Sequence, residues 1–275
     1  MMPHHKLHQF ALMVAIGCAC ASNSAWAQEE HELAKQLANP IASLISVPFQ
    51  SNWDTHIGKA RDGDRYYLNF QPVIPVSLDK DWNLISRTIV PLISQRNVLP
   101  DSGTQTGIGD TTQSFFFSPK ARGPGGLIWG VGPALFIPGD GDPLLSSGKW
   151  GAGPTGVALI QDGGWTIGML ANQNWSYAGE DDRPDVNQTF LQPFISYTTK
   201  DAWTYTLNTE STYNWMAHQW SVPINFEIAK LVKFGTQPVQ FQAGVRYWAE
   251  SPDTGAQDFG ARFNIIFLFP TGKKG

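Results

Sequence analysis

The sequence predicts an all-β fold: a transmembrane antiparallel up-and-down β-barrel of 12 strands, preceded by a short helical segment. Three observations carry this expectation. Apolar and polar residues alternate with period 2 from residue 43 to residue 269, the connections are alternately short and long, and the tryptophans gather at segment ends.

The chain opens with Lys6 among three histidines, an apolar run over residues 10–21 and the small-residue site Ala25-Trp26-Ala27. This is the layout of a secretory signal peptide, and the run is shorter than the roughly 20 residues a membrane helix needs. Ala15-Ile16-Gly17-Cys18 offers a lipoprotein reading but lacks the leucine-like residue expected three places before the cysteine. Cleavage is therefore expected after Ala27, making residues 1–27 the signal peptide. Both cysteines, Cys18 and Cys20, leave with it, so the mature chain has no disulfide, Cys-ligated zinc or catalytic thiol. Lys6 is the only charged residue there, so its loss takes the formal net charge from −4 to −5. Such a chain presents no basic surface for nucleic acid. No later run of 18 apolar residues predicts a membrane helix. Aromatic residues nonetheless make up 12% of the chain and Trp numbers 11, at a mean hydropathy of −0.21. That combination suits a wall whose apolar residues alternate with polar ones.

Residues 28–42 form an N-terminal segment in which Leu33, Leu37 and Ile41 fall at helical spacing among charges. A short amphipathic helix at the periplasmic mouth or inside the lumen is expected, with a frayed terminus as the alternative.

The barrel is expected over residues 43–269, with strands near 43–53, 65–78, 83–93, 109–118, 127–138, 150–161, 165–176, 187–198, 202–213, 219–229, 237–248 and 257–269. The count is even, as in single-chain bacterial barrels. In the last strand Phe259, Ala261, Phe263, Ile265, Phe267 and Phe269 share one face, while Gly260, Arg262 and Asn264 share the other. The eleventh, tenth and second strands repeat the pattern. The third is apolar on both faces and the fourth is mostly polar.

A soluble β-sandwich would also alternate. The connections argue for the barrel, since 78–82, 119–126, 161–164, 199–201 and 230–236 are short while 56–64, 94–108, 139–149 and 177–186 are longer and more polar. Trp82, Trp129, Trp165 and Trp203 follow short turns; Trp53, Trp150, Trp175, Trp215, Trp220 and Trp248 border the opposite connections. Two aromatic girdles at two membrane interfaces give this distribution. Prolines inside strands, among them Pro72, Pro91, Pro133, Pro154 and Pro223, each remove a ladder donor and are expected at bulges or bends.

Several strings resemble a known group: Asn69-Phe-Gln-Pro-Val-Ile-Pro-Val76, Trp82-Asn-Leu-Ile-Ser-Arg-Thr-Ile-Val-Pro91, Gly107-Ile-Gly-Asp-Thr-Thr-Gln-Ser114, Gln192-Pro-Phe-Ile-Ser-Tyr-Thr-Thr199 and Asn208-Thr-Glu-Ser-Thr-Tyr213. They are similar to bacterial outer-membrane proteins named only as transporters, sometimes mislabelled neuromedin U and related to the MetA-pathway phenol-degradation family. The resemblance runs from about Leu33 to Pro270 and implies an outer-membrane barrel, with no catalytic motif or substrate to carry over. Barrel proteins usually end on the aromatic residue read by the barrel assembly machinery. Here Phe269 precedes a tail over residues 270–275, so Phe263, Phe267 and Phe269 are expected to carry the assembly signal.

Little catalytic chemistry is visible. The mature histidines His31, His56 and His218 lie in three separate segments, which disfavours a metal site. His218 and Ser221 are three apart and point to opposite faces of a strand, so they make no nucleophile and base pair. The acidic cluster Glu180, Asp181, Asp182 and Asp185 reads as a solvated loop or a calcium site. No cofactor is expected.

The lumen is the remaining candidate site, where Glu210, Glu227, Arg246 and Arg262 are expected to point inward. Counting along the strands puts Glu227 nearer the periplasm and the other three in the outer half. They would form either a charged constriction that selects solutes or ion pairs that fill a narrow barrel. The expected function is a passive outer-membrane channel or uptake protein for small solutes, hydrophobic or aromatic by the family label alone, with outer-membrane lipid and the assembly machinery as partners. A closed structural or adhesive barrel is the alternative, and a barrel enzyme the third reading.

Overall fold

The computed structural model describes residues 28–270. The expected signal peptide over residues 1–27 and the end of the tail, 271–275, lie outside the described residues.

Twelve antiparallel strands close into a barrel. They are β1 (Ile45–Ile57), β2 (Gly63–Phe70 and Val73–Ser77), β3 (Trp82–Arg96), β4 (Thr104–Ile108 and Thr111–Pro119), β5 (Ile128–Ile137), β6 (Lys149–Asp162), β7 (Trp165–Gly179), β8 (Asn187–Thr198), β9 (Trp203–Thr209 and Ser211–Asn214), β10 (Gln219–Phe234), β11 (Gln237–Glu250) and β12 (Asp258–Phe269). Each strand pairs with its neighbour in sequence, and β1 pairs with β12 from Ile45 opposite Phe269 to Trp53 opposite Ala261. The seam leaves no free edge, so every strand has ladder partners on both sides.

Three strands come in two pieces, and two of the breaks sit at proline. Pro72 interrupts β2, and Pro223 of β10, which cannot donate, lies beside the break at Glu210 in β9. Gly109 and Asp110 form a bulge in β4 that slips its register on β3 by one residue, opposite Pro91. Pro133 and Pro154 face each other across β5 and β6 without shifting register. β1 runs four residues beyond its expected end and β4 begins five residues before its expected start. The loop residues there continue the ladders into the long-connection end.

The outward face is apolar, with Val131, Ile160, Ile167, Leu207, Phe226 and Val245 all exposed. Aromatic rings rim both ends. At the short-turn end Trp82 packs edge-on against Trp129, Trp165 lies on Tyr197, and Lys230 sits over Trp203. At the long-loop end Tyr213 contacts Trp215 and Trp220, and Tyr247 contacts Phe259. Trp248 departs from the expected girdle. It faces the lumen and donates to Asp54 Oδ1 at 3.1 Å.

Residues 28–37 form the expected helix, and it lies within the short-turn mouth. Lys233 at the rim holds Glu29 at 2.8 Å, and His31 Nδ1 contacts the Thr199 carbonyl in a turn at 2.9 Å. Leu33 and Ala34 pack with Leu44 against Ala202, Leu231, Ile266 and Leu268 of the wall. Deeper in, Ile41 meets Ile85, Phe116, Val157, Leu159 and Leu170. The chain then returns to the rim at Ile45. The inward positions near the short turns are therefore apolar, where the helix needs partners.

Phe263, Phe267 and Phe269 stand on the outward face of β12, and Phe267 packs edge-on against Phe49 across the seam. Truncation of Pro270–Gly275 is expected to leave assembly intact, whereas Phe269→Ser should lower the heat-modifiable fraction in outer membranes on gels. The opposite pattern would place the signal in the tail.

Candidate functional site

The charged residues of the lumen form one belt, and strand register explains how. Asn52 of β1 lies opposite Arg262 of β12, Arg262 opposite Gly244 of β11, Gly244 opposite Glu227 of β10, and Glu227 opposite Thr206 of β9. These five share a rung, which brings Glu227 and Arg262 side by side across Gly244. Gly244 lets the two meet. A Cβ there would come within 2.7 Å of Glu227 Cγ and 2.5 Å of the Phe226 carbonyl. With that space open, Arg262 Nη1 reaches Glu227 Oε1 at 3.2 Å.

Arg262 also grips Glu210 with a two-pronged fork, Nη1 to Oε1 at 3.0 Å and Nη2 to Oε2 at 2.6 Å. Its Nε donates to Asn52 Oδ1 at 2.7 Å. Such planar pairing is the strong form of the arginine–carboxylate bond. Asn208 Nδ2 donates to Glu227 Oε1 at 3.0 Å, and Asn225 Nδ2 donates to Asn208 Oδ1 at 2.8 Å. Arg246 donates to the same Asn52 Oδ1 at 2.9 Å and to the Tyr67 hydroxyl, stacks over the Trp248 ring and lies 3.7 Å from Asp54. Arg246, Arg262 and Glu227 are buried. All four expected luminal residues thus lie in one network. It also uses Asn52, Asp54, Tyr67, Asn208 and Asn225, which sequence reasoning did not single out.

The network lies against one side of the lumen and leaves space on the other. A cavity of about 340 Å³ runs from beneath the long connections at Asp110, Ser147 and Val186 down to Arg87. Two smaller ones, about 170 and 150 Å³, lie between the helical segment and the wall. Arg87 of β3 borders all three. Its guanidinium donates to Gln71 Oε1 at 3.3 Å, and among the described residues it forms no ion pair. A fourth space of about 420 Å³ lies under the 251–257 loop.

The acidic loop resolves into ion pairs, Glu180 with Arg183 at 3.1 Å and Asp185 with Lys149 at 3.5 Å. Among the described residues no group of three or more His, Cys, Asp or Glu side chains is placed to hold a metal ion, and no helix is long and apolar enough to cross a membrane.

Among solved structures, the chain is similar to an outer membrane channel from Pseudomonas putida F1. Identity is 14% and the TM-score 0.63, over 82% of this chain and 96% of that one. At this identity the likeness shows the fold. A bacterial polysaccharide outer membrane secretin aligns at 9% identity and a TM-score of 0.31, over 83% of this chain and 99% of that one. No family profile and no curated protein matches the sequence.

Proposed function

We propose that this protein is an outer-membrane β-barrel acting as a narrow passive channel for small solutes, with its long connections outside the cell and its short turns in the periplasm. The observation that carries this reading is the cavity of about 340 Å³ that leads inward from the long loops to Arg87, alongside a charged belt that leaves it open. Asn174 Oδ1, a buried atom of the cavity wall, lacks a protein partner, which suits a hydrated path. The fold of the Pseudomonas putida F1 channel and the strings resembling outer-membrane transporters support the same reading, and the assembly machinery would insert the barrel. No catalysis is assigned to it.

The closed structural barrel is the second reading. It is favoured by the helical segment in the short-turn mouth and by the saturation of Arg262 with carboxylates. Planar-bilayer recording separates the two. Purified protein that shifts on gels when unboiled is expected to give small, discrete conductance steps. Protein that inserts yet passes neither current nor small solutes would leave the closed barrel as the better account.

A further inference from the structure

We infer that the cavity above Arg87 is a binding site for a small monocarboxylate with a short apolar body, which names the solute class of the channel and rests on that reading for its purpose. Two carboxylates border the cavity. Glu210 is held by both prongs of Arg262, and Asp110 accepts from Ser146 Oγ at 2.6 Å, from the Ser147 amide at 3.1 Å and from the Gly139 amide at 3.3 Å. Both are therefore engaged by donors of their own. Arg87 is the cation left over. It feels the charge of Glu210, which Arg262 already holds, but among the described residues its hydrogen bond is to the neutral amide of Gln71 and it forms no ion pair.

An unpaired guanidinium with part of its fork free matches a carboxylate, which it can hold by two parallel hydrogen bonds. Among the residues around the cavity, the side chains of Ile89, Phe136, Leu170 and Phe190 are apolar, while Gln71, which also donates to Gln50 Oε1 at 3.1 Å, and Gln192 bring neutral amides. One cation and neutral amides suit a single negative charge. The apolar side chains suit a hydrocarbon body, since burying it there removes apolar surface from water. The volume falls within the range of about 300–1,000 Å³ usual for small-molecule sites.

The test uses the mature full-length protein folded in zwitterionic detergent, titrated calorimetrically with hexanoate, hexanamide and inorganic phosphate. Hexanoate is expected to bind wild type on the order of tenfold or more tightly than either other probe, as the loss of a charge-assisted hydrogen bond implies. Arg87→Gln should lose a similar factor and Arg87→Lys less, with both variants checked for the gel shift of the folded barrel. Should Arg87→Gln fail to fold, Ile89→Asn is expected to weaken hexanoate while leaving acetate unchanged. Equal binding of hexanoate and hexanamide, equal binding of phosphate, or full hexanoate affinity in folded Arg87→Gln would overturn the site. A barrel that conducts but does not bind hexanoate loses only this inference. One that binds hexanoate but passes no current loses only the channel.

Discussion

Removal of residues 28–42 from the mature chain is expected to raise single-channel conductance several-fold while the twelve-stranded barrel still forms. Ladder bonds and the β1–β12 seam hold the wall, and none of them uses this segment. What the segment supplies is filling. Leu33 and Ile41 each bury apolar surface worth about 1.5–3 kcal/mol against the wall and half-buried Leu37 adds less, offset in part by the cost of ordering fifteen residues. The truncated barrel should therefore unfold at a lower temperature and conduct more. Ala34→Asp with Ile41→Asp, which places a charge in each apolar contact cluster, should act in the same direction at full length. An unchanged conductance in a truncated protein that keeps its gel shift would show that the short-turn mouth is not the constriction.

Arg262→Gln is expected to cost about 3–5 kcal/mol of barrel stability, because it leaves two carboxylates facing one another without their shared cation. Glu210 and Glu227 depend on the same guanidinium, and Glu227 is 2% exposed. Loss of either carboxylate alone should cost less, since Arg262 retains the other. Replacing all three by apolar residues of similar volume should recover much of the loss. Urea titrations of the unboiled-to-boiled gel shift would measure the series. A single Arg262→Gln indistinguishable from wild type would mean that lumen water solvates both carboxylates and that the belt adds little to stability.

The wall was legible in the sequence because a membrane outside and water inside enforce period 2. β12 declares its faces through Phe259 to Phe269 and Gly260 to Asn264, and the tenth and eleventh strands do the same. The expected inward side chains Glu227, Arg246 and Arg262 lie in these three strands, and Glu210 sits at the break in β9. Arg87 escaped because β3 is apolar on both faces, so nothing distinguished a luminal arginine from an outward one. Asp54 escaped because β1 continues past Trp53, a boundary that tertiary pairing sets and local pattern does not. That Glu227 meets Arg262 across Gly244 depended on pairing register, which a count along one strand cannot supply. Trp248 shows the limit of position as a guide, since a tryptophan at a strand end can still turn inward when a carboxylate there accepts its N–H.

The excursion of residues 28–44 into the lumen also has a kinetic meaning. Its polar contacts join residues far apart in the chain: Lys35 to Gln161 across 126 positions, His31 to Thr199 across 168 and Glu29 to Lys233 across 204. Contacts so distant form slowly, because the loop they close must be ordered before they give any return. The segment also leads directly into β1, whose partner β12 is the last strand synthesised. Docking of the helix is thus tied to the final closure of the barrel, and a chain stalled before β12 would hold residues 28–44 undocked. The newly made barrel would then be leakiest in the interval before residues 28–44 settle in its mouth.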